Sequence, residues 1–162
     1  MVKMDMPTMH IKNKGIFNLS DMIQGIKGFF EGDSFKVHFP KHKVKKDEHE
    51  LKMYGERNMS DYVKFKIIIW IRIFDWKEVE LIKDGKKIKA DSGRIAIDID
   101  GELTLDYQGR FGGSKAMQTL QDFYHRYIIR QDIGDYWEDE IVIRMVNLGK
   151  LIREQCQQEA LT

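Results

Sequence analysis

The sequence predicts an α+β protein whose sheet is a mostly antiparallel meander of about six to seven strands. One short N-terminal helix and two C-terminal helices, the last one long, are expected to pack on that sheet. Three observations support this fold class: helical spacing of apolar residues early in the chain, consecutive alternating runs from about residue 35 to residue 107, and renewed helical spacing after residue 114. Consecutive strands joined by short turns pair antiparallel. We expect residues 1–162 to form one domain.

The N-terminal part of the chain predicts one strand followed by one amphipathic helix. Residues 2–11 mix Met, Thr and Ile with charged residues and are assigned to a strand. The stretch FNLSDMIQGIKGFFEGD has a capping residue at its start, Asn18 or Ser20, and Gly32 can end it. This stretch is expected to be helical, with Ile26 and Phe29 largely buried. Its apolar side consists of Leu19, Met22, Ile23, Ile26, Phe29 and Phe30.

A strand, a hairpin and a long strand are predicted next. The stretch from Phe35 to Phe39 alternates, and this strand is expected to end at Pro40. The charged segment KHKVKKDEHELKMYGER is interpreted as a hairpin with a polar turn near Asp47. YVKFKIIIWIRIF predicts a strand from about 62 to 74. One face of that strand is apolar throughout, and the other begins with lysines but then carries Ile68, Trp70 and Phe74.

The dipeptide Asp-Gly occurs twice, and side-chain alternation decides whether each occurrence is a turn. At Asp84-Gly85, a two-residue turn would pair Leu81 with Ile88 on one face of a hairpin. It would also place opposite charges beside each other on the other face. Asp84-Gly85 is therefore predicted to be a hairpin turn.

The second dipeptide, Asp100-Gly101, is predicted to lie inside a strand. A turn there would put a charge beside every apolar residue, so neither face of the hairpin could be buried. An unbroken strand instead places all the apolar residues of GRIAIDIDGELTLDY on one face. We predict extended backbone from about Arg94 to Tyr107, with Gly101 as a bend, a bulge or a point of close packing.

Two helices are predicted at the C-terminal end. Ser114 can cap the first, whose apolar stripe comprises Met117, Leu120, Phe123, Tyr124, Tyr127 and Ile128. The second is expected over about 135–158. Its main stripe comprises Trp137, Ile141, Met145, Leu148 and Ile152. Its apolar surface is wider than that stripe, because it also includes Tyr136, Val142, Ile143, Val146 and Leu151.

The composition limits the classes of function. The formal net charge is +1, so no global field favours nucleic acid or a membrane surface. The single cysteine, Cys156, allows no internal disulfide and favours a reduced, cytoplasmic setting. The N-terminus shows no secretory signal, and the apolar run IIIWI is too short to span a membrane. None of the common catalytic or nucleotide-binding motifs occurs, so no enzymatic activity and no cofactor are predicted.

Two resemblances accompany these patterns. The order of elements is similar to the helix-grip arrangement of START-like and polyketide-cyclase-like proteins, although those proteins commonly have a second early helix that this sequence lacks. VELIKDGKKIKADSGRIAIDIDGELTLDY followed by FYHRYIIR resembles a group of small uncharacterised archaeal proteins over roughly residues 60–155. That group has no known activity, so the resemblance implies only an archaeal type of cytoplasmic setting.

The acidic and histidine residues do not predict a metal site. Alternate residues of a strand lie about 6.5–7 Å apart, so neighbouring carboxylates do not easily converge on one ion. We expect a solvated face that pairs with Lys and Arg of adjacent strands. His38 and His42 have Pro40 between them, which excludes a helical pair of metal ligands. The acidic row consists of Asp98, Asp100, Glu102 and Asp106.

The basic segment 36–52 can be read in two ways. It is either a charged hairpin face or a contact for the phosphates of nucleic acid. Acidic residues dilute it, and it has no aromatic residue between residues 41 and 52 on which a base could stack. The candidates for a polyanion contact are Lys41, Lys43, Lys45, Lys46 and Lys52.

The leading functional hypothesis is a non-enzymatic binding or structural protein that acts through self-association. It rests on apolar residues that a one-sided sheet and its helices would leave uncovered. Helices covering both sides of the sheet would explain the same residues. The alternatives are a carrier that holds an apolar small molecule between sheet and last helix, and an RNA- or ribosome-associated factor that uses the basic segment. The self-association candidates are Ile68, Trp70, Phe74, Tyr136 and Ile143.

Overall fold

The computed structural model describes residues 2–109, 114–124 and 135–158. The described residues confirm the predicted α+β class, with a six-stranded antiparallel sheet, one early helix and two C-terminal helices. None of these helices is long and apolar enough to cross a lipid bilayer. The elements are β1 (Val2–Asp5), β2 (Met9–Phe17), α1 (Leu19–Gly32), β3 (Lys36–Lys45), β4 (Glu48–Asn58), β5 (Val63–Lys83), β6 (Lys86–Leu105), α2 (Lys115–Tyr124) and α3 (Asp135–Gln158).

The sheet is a meander from β3 to β6 that is completed by the start of the chain. Its order is β1-β6-β5-β4-β3, and β2 also pairs with β6. β1 and β2 lie end to end along the same edge of β6, with Val2 opposite Leu105 and Met9 opposite Ile99. The N-terminal residues that were predicted to form one strand therefore form two, and the second strand is longer than predicted.

Both Asp-Gly predictions are confirmed. At Asp84-Gly85 the backbone has φ angles of 52° and 77°, and Leu81 lies opposite Ile88 as a two-residue turn requires. β6 runs through Gly101, which pairs with Ile67 in an unbroken register. A Cβ atom at Gly101 would lie 2.5 Å from the Sδ atom of Met145 on α3. Gly101 is therefore a point of close packing and not a bend.

The core lies between one face of the sheet and helices α1 and α3. α1 contributes Met22, Ile26 and Phe30 to it, and each of these side chains is fully buried. Phe29 is only partly buried, so the prediction identified the apolar side of α1 but not its most buried phenylalanine. Phe30 belongs to the row at four-residue spacing that faces the sheet, and Phe29 lies one position to its side. The α3 residues in the core are Ile141, Met145, Leu148, Ile152 and Cys156.

Asp33 fixes α3 against the end of α1. Its carboxylate accepts hydrogen bonds from Arg57 Nη1 at 2.9 Å and from Arg144 Nε at 2.6 Å. Arg144 also donates to the Glu140 carboxylate at 2.9 Å, one turn earlier on α3. These contacts join α3 to the C-terminal end of α1 and to β4.

Strand β3 does not end at Pro40 as predicted. It continues to Lys45, with a shift of register between His38 and Lys41. β3 is the edge strand of the sheet, and a proline at such a bulge removes no hydrogen bond that the ladder needs. The predicted continuation of the α2 stripe through Tyr127 and Ile128 lies outside the described residues.

Candidate functional site

The outer face of the sheet, the face opposite α1 and α3, carries the predicted site residues of β3 to β6. On β5 the odd-numbered side chains from Val63 to Ile73 are buried in the core, and the even-numbered ones point to the outer face. These outer side chains are partly exposed. They are Lys64, Lys66, Ile68, Trp70, Arg72 and Phe74.

The aromatic residues of this face are accompanied by arginines. The Arg72 guanidinium lies 4.5 Å from the ring centroid of Trp70, and that of Arg94 lies 5.7 Å from the ring of Phe74. Trp70 Nε1 donates to a carboxylate oxygen of Glu50 at 3.1 Å. Each ring therefore has one arginine beside it, Arg72 from the same strand for Trp70 and Arg94 from β6 for Phe74, and both rings stay partly exposed.

Three carboxylates of the predicted acidic row are on the outer face and have partners there. Asp98 contacts Arg72 Nη2 at 2.9 Å and His10 Nδ1 at 2.6 Å. Asp100 accepts a hydrogen bond from the Thr8 hydroxyl, and Glu102 pairs with Lys3. Within the described residues, no three His, Cys, Asp or Glu side chains are grouped so that they could bind a metal ion.

The fourth member, Asp106, does not belong to the row. β6 ends at Leu105, and Asp106 adopts a φ of 53°, with only 1% of its surface exposed. Its N–H donates to the Tyr62 carbonyl at 2.8 Å. The alternation that predicted Asp106 assumed an extended backbone, and the backbone leaves that conformation at this residue.

Four of the five predicted basic residues join the outer face through the pairing of β3 with β4. Lys41 lies opposite Lys52, Lys43 opposite Glu50, and Lys45 opposite Glu48. Lys46 lies in the turn between these strands with a φ of 53°.

Glu50 stays ionised beside these lysines. The Lys41 ammonium lies 2.8 Å from the Glu50 carboxylate, and that hydrogen bond lowers the pKa of Glu50. The glutamate therefore neutralises Lys41 and holds Trp70 at the same time.

Pairing of β2 with β6 adds basic residues that were not among the predicted site residues. Lys12 lies opposite Ala96, and Lys14 lies opposite Arg94. An open groove of about 500 Å³ is lined by these two lysines together with Phe74 and Arg94. The sequence shows these lysines as an alternating pair in KNKG. Only the pairing of β2 with β6, which is distant in the chain, shows that they lie on the outer face.

The charges divide the outer face into two halves. The basic half, taken as far as Asp75 on β5 and Arg94 on β6, contains eight cations and four carboxylates, a net charge of +4. Its cations are Lys12, Lys14, Lys41, Lys43, Lys45, Lys52, Arg72 and Arg94, and its carboxylates are Glu48, Glu50, Asp75 and Asp98. The neutral half contains four of each: Lys3, Lys36, Lys64 and Lys66, with Asp5, Glu56, Asp100 and Glu102. Trp70 and Phe74 belong to the basic half.

The residues predicted for self-association lie on two different surfaces. Ile68, Trp70 and Phe74 are on the outer face of the sheet. Tyr136 and Ile143 are on α3, 56% and 53% exposed, on the far side of the helix from the sheet. One two-fold contact therefore cannot bury both groups.

The space between the sheet and α3 is closely filled around Gly101 and Gly149. A Cβ atom at Gly149 would lie 2.9 Å from Met9 Cε, and one at Gly101 would meet Met145. An apolar ligand between sheet and last helix would have to lie away from these positions, because they do not accommodate even a methyl group.

These features define an α+β protein with an antiparallel sheet that bears helices on one face and a partly basic, partly aromatic surface on the other. The sequence matches no protein-family model, and no curated protein is significantly similar to it.

Proposed function

We propose that this protein is a non-enzymatic, cytoplasmic binding protein that holds single-stranded nucleic acid on the basic half of its outer face. The observation that carries the proposal is the placement of eight cations around Trp70 and Phe74 on one open sheet face. Lysines and arginines bind the phosphates, and aromatic rings or guanidinium planes stack with the bases. The whole-chain charge of +1 concealed this concentration of positive charge.

The lysines that are free to bind phosphate lie on both sides of the aromatic residues. Arg72, Arg94 and Lys41 are paired with carboxylates. Among the described residues, the remaining five cations of the basic half make no ion pair. These five are Lys12 and Lys14 on β2, and Lys43, Lys45 and Lys52 on β3 and β4.

The dimensions of the face favour a single strand over a duplex. Neighbouring strands are about 4.8 Å apart, so the distance from β2 to β3 across the sheet is roughly 19 Å. A face of this width does not enter a major groove of about 12 Å. A single strand that crosses the sheet strands would contact lysines at both ends and present its bases to Trp70 and Phe74 between them.

The test is binding of a fluorescein-labelled oligouridylate of about 15 nucleotides, measured by fluorescence anisotropy, with oligodeoxythymidylate of the same length as a second arm. This length covers the usual site size of about 4–16 nucleotides. Each phosphate contact to a single strand contributes about −0.7 to the slope of log K against log salt. Four to five contacts predict that affinity falls about 50- to 130-fold between about 50 and 200 mM salt.

Matched lysine variants locate the site. Lys12→Gln with Lys14→Gln is expected to weaken binding and to reduce the salt slope by about 1.4, since two contacts are lost. Lys64→Gln with Lys66→Gln removes the same charge from the neutral half and should leave the slope unchanged. Equal losses in both double variants would contradict a site on the basic half.

A third variant separates base stacking from simple attraction between charges. Trp70→Leu keeps every cation and removes one ring, so it should weaken binding by about 5- to 150-fold, the range for one stacked base. It should leave the salt slope in place. If Trp70→Leu binds as tightly as the wild type, no base stacks on this ring and the proposal fails.

A further inference from the structure

The outward side of α3 carries an exposed apolar stripe. Tyr136, Val142, Ile143 and Val146 are between 37% and 56% exposed. The opposite side of the same helix is buried against the sheet through Met145 and its neighbours. Packing within the described part of the chain therefore explains why the inner side of α3 is apolar, but it does not explain why the outward side is apolar as well.

Charged residues flank this stripe in a self-complementary order. Asp139, Lys150 and Arg153 are exposed, and among the described residues they make no ion pair. The helix dipole favours an acid near the N-terminus and bases near the C-terminus, so the dipole is enough to explain the order of these charges. It does not account for the apolar residues between them. The spacing of Asp139, Ile143, Val146 and Lys150 places all four on one side of the helix.

An antiparallel copy of α3 matches this pattern. With a two-fold axis between Arg144 and Met145, Ile143 lies opposite Val146 of the second copy. Asp139 then lies opposite Lys150 of that copy, and Tyr136 opposite its Arg153. Each match occurs twice, because a two-fold contact uses the same patch on both copies.

We infer that two copies of this chain pair through the outward sides of their α3 helices, antiparallel about that axis. The contact is about 26 Å long, from Tyr136 to Arg153 at 1.5 Å per residue. A single pair of helices buries less than the roughly 800 Å² per partner of a typical stable interface, so the dimer should dissociate on dilution. The two outer faces then point away from each other, which leaves both accessible to nucleic acid.

Sedimentation velocity over a range of concentrations tests the inference. The wild type should shift from monomer to dimer as concentration rises. Asp139→Lys alone and Lys150→Asp alone should each weaken the dimer by at least about tenfold, because each places like charges together twice. The double variant Asp139→Lys, Lys150→Asp restores opposite charges only in the antiparallel register, and it should recover the dimer.

Two further variants distinguish the proposed dimer from other contacts that would cover this surface. Ile143→Lys should give a monomer with unchanged far-ultraviolet circular dichroism, and Trp70→Lys should remain dimeric, because Trp70 lies on the other side of the molecule. α2 exposes apolar residues of its own, including Met117 and Leu120, and could cover α3 within one chain. Monomeric wild type at all concentrations, or a dimer that only Trp70→Lys dissociates, would overturn the inference.

Discussion

Replacement of Gly101 by alanine is expected to destabilise the protein even though it adds only one methyl group. The new Cβ would lie 2.5 Å from Met145 Sδ and 3.2 Å from the Cβ of Met6. Met145 is only 1% exposed, so its side chain cannot relieve the contact by moving out into solvent and has to rearrange within the core. Overpacking of this kind costs about 1–3 kcal/mol.

The net effect is smaller, because alanine also restricts the unfolded chain. That restriction stabilises the folded state by about 0.4–1 kcal/mol, so the middle of the two ranges gives a net loss of about 1.3 kcal/mol. For a chain of 162 residues this corresponds to a decrease in Tm of roughly 3–5 °C. Urea denaturation of the wild type and Gly101→Ala measures the loss directly.

Gly28→Ala is the matched control. Gly28 lies on the exposed side of α1, and nothing is within 4 Å of the position of its Cβ. The same substitution should there stabilise the protein by about 0.4–1 kcal/mol.

A double variant identifies the contact that causes the loss. Met145→Ala removes the sulfur that the new methyl group meets, so the combined cost of Gly101→Ala and Met145→Ala should be about 0.5–3 kcal/mol less than the sum of the single costs. If Gly101→Ala is as stable as the wild type, or if the two costs add, close packing against α3 does not explain the glycine.

Two other predictions concern stability. Phe30→Ala should cost about 3–5 kcal/mol in a denaturation experiment, because Phe30 is fully buried, and Phe29→Ala only about 1 kcal/mol; equal losses would contradict the assignment of the buried row. Burial lowers the pKa of His49 below 6.5, an effect that the charge of Asp91 only partly opposes. The unfolded chain therefore binds the proton more tightly, and this contribution to stability is present above pH 6.5 and is lost as the pH falls through the folded-state pKa. His49→Gln should lose less stability than the wild type between about pH 7 and pH 5.5, and parallel pH profiles would refute the assignment.

The strands and helices could be predicted where the spacing of apolar residues within a single segment is enough to assign it. Asp84-Gly85 and Asp100-Gly101 were distinguished because each register places a definite set of side chains on one face. Pro40 misled the prediction, because its effect on a strand depends on whether that strand is at an edge. Local spacing does not contain that information.

The outer face was only partly predictable from the sequence. The aromatic residues of β5 and the lysines of β3 could be selected individually, but their common surface depends on strand pairings across the whole sheet. Lys12 and Lys14 come to lie beside Ala96 and Arg94, more than 70 residues away in the chain. Periodicity assigns a side chain to a face of its own strand and does not identify the strand beside it.

β1 and β2 pair with β6, the last strand of the sheet, so they cannot form their strand pairings until β6 has been synthesised. Phe17 lies opposite Asp91, and Val2 lies opposite Leu105. At about 5–20 residues per second, the ribosome needs roughly 4–20 s to extend the chain from these residues to their partners. During that interval the first 17 residues emerge without their ladder, and α3, which packs on β2, follows later still. β1 and β2 precede the strand that they pair with, yet they are incorporated among the last, and closure of such distant pairs should set the pace of folding.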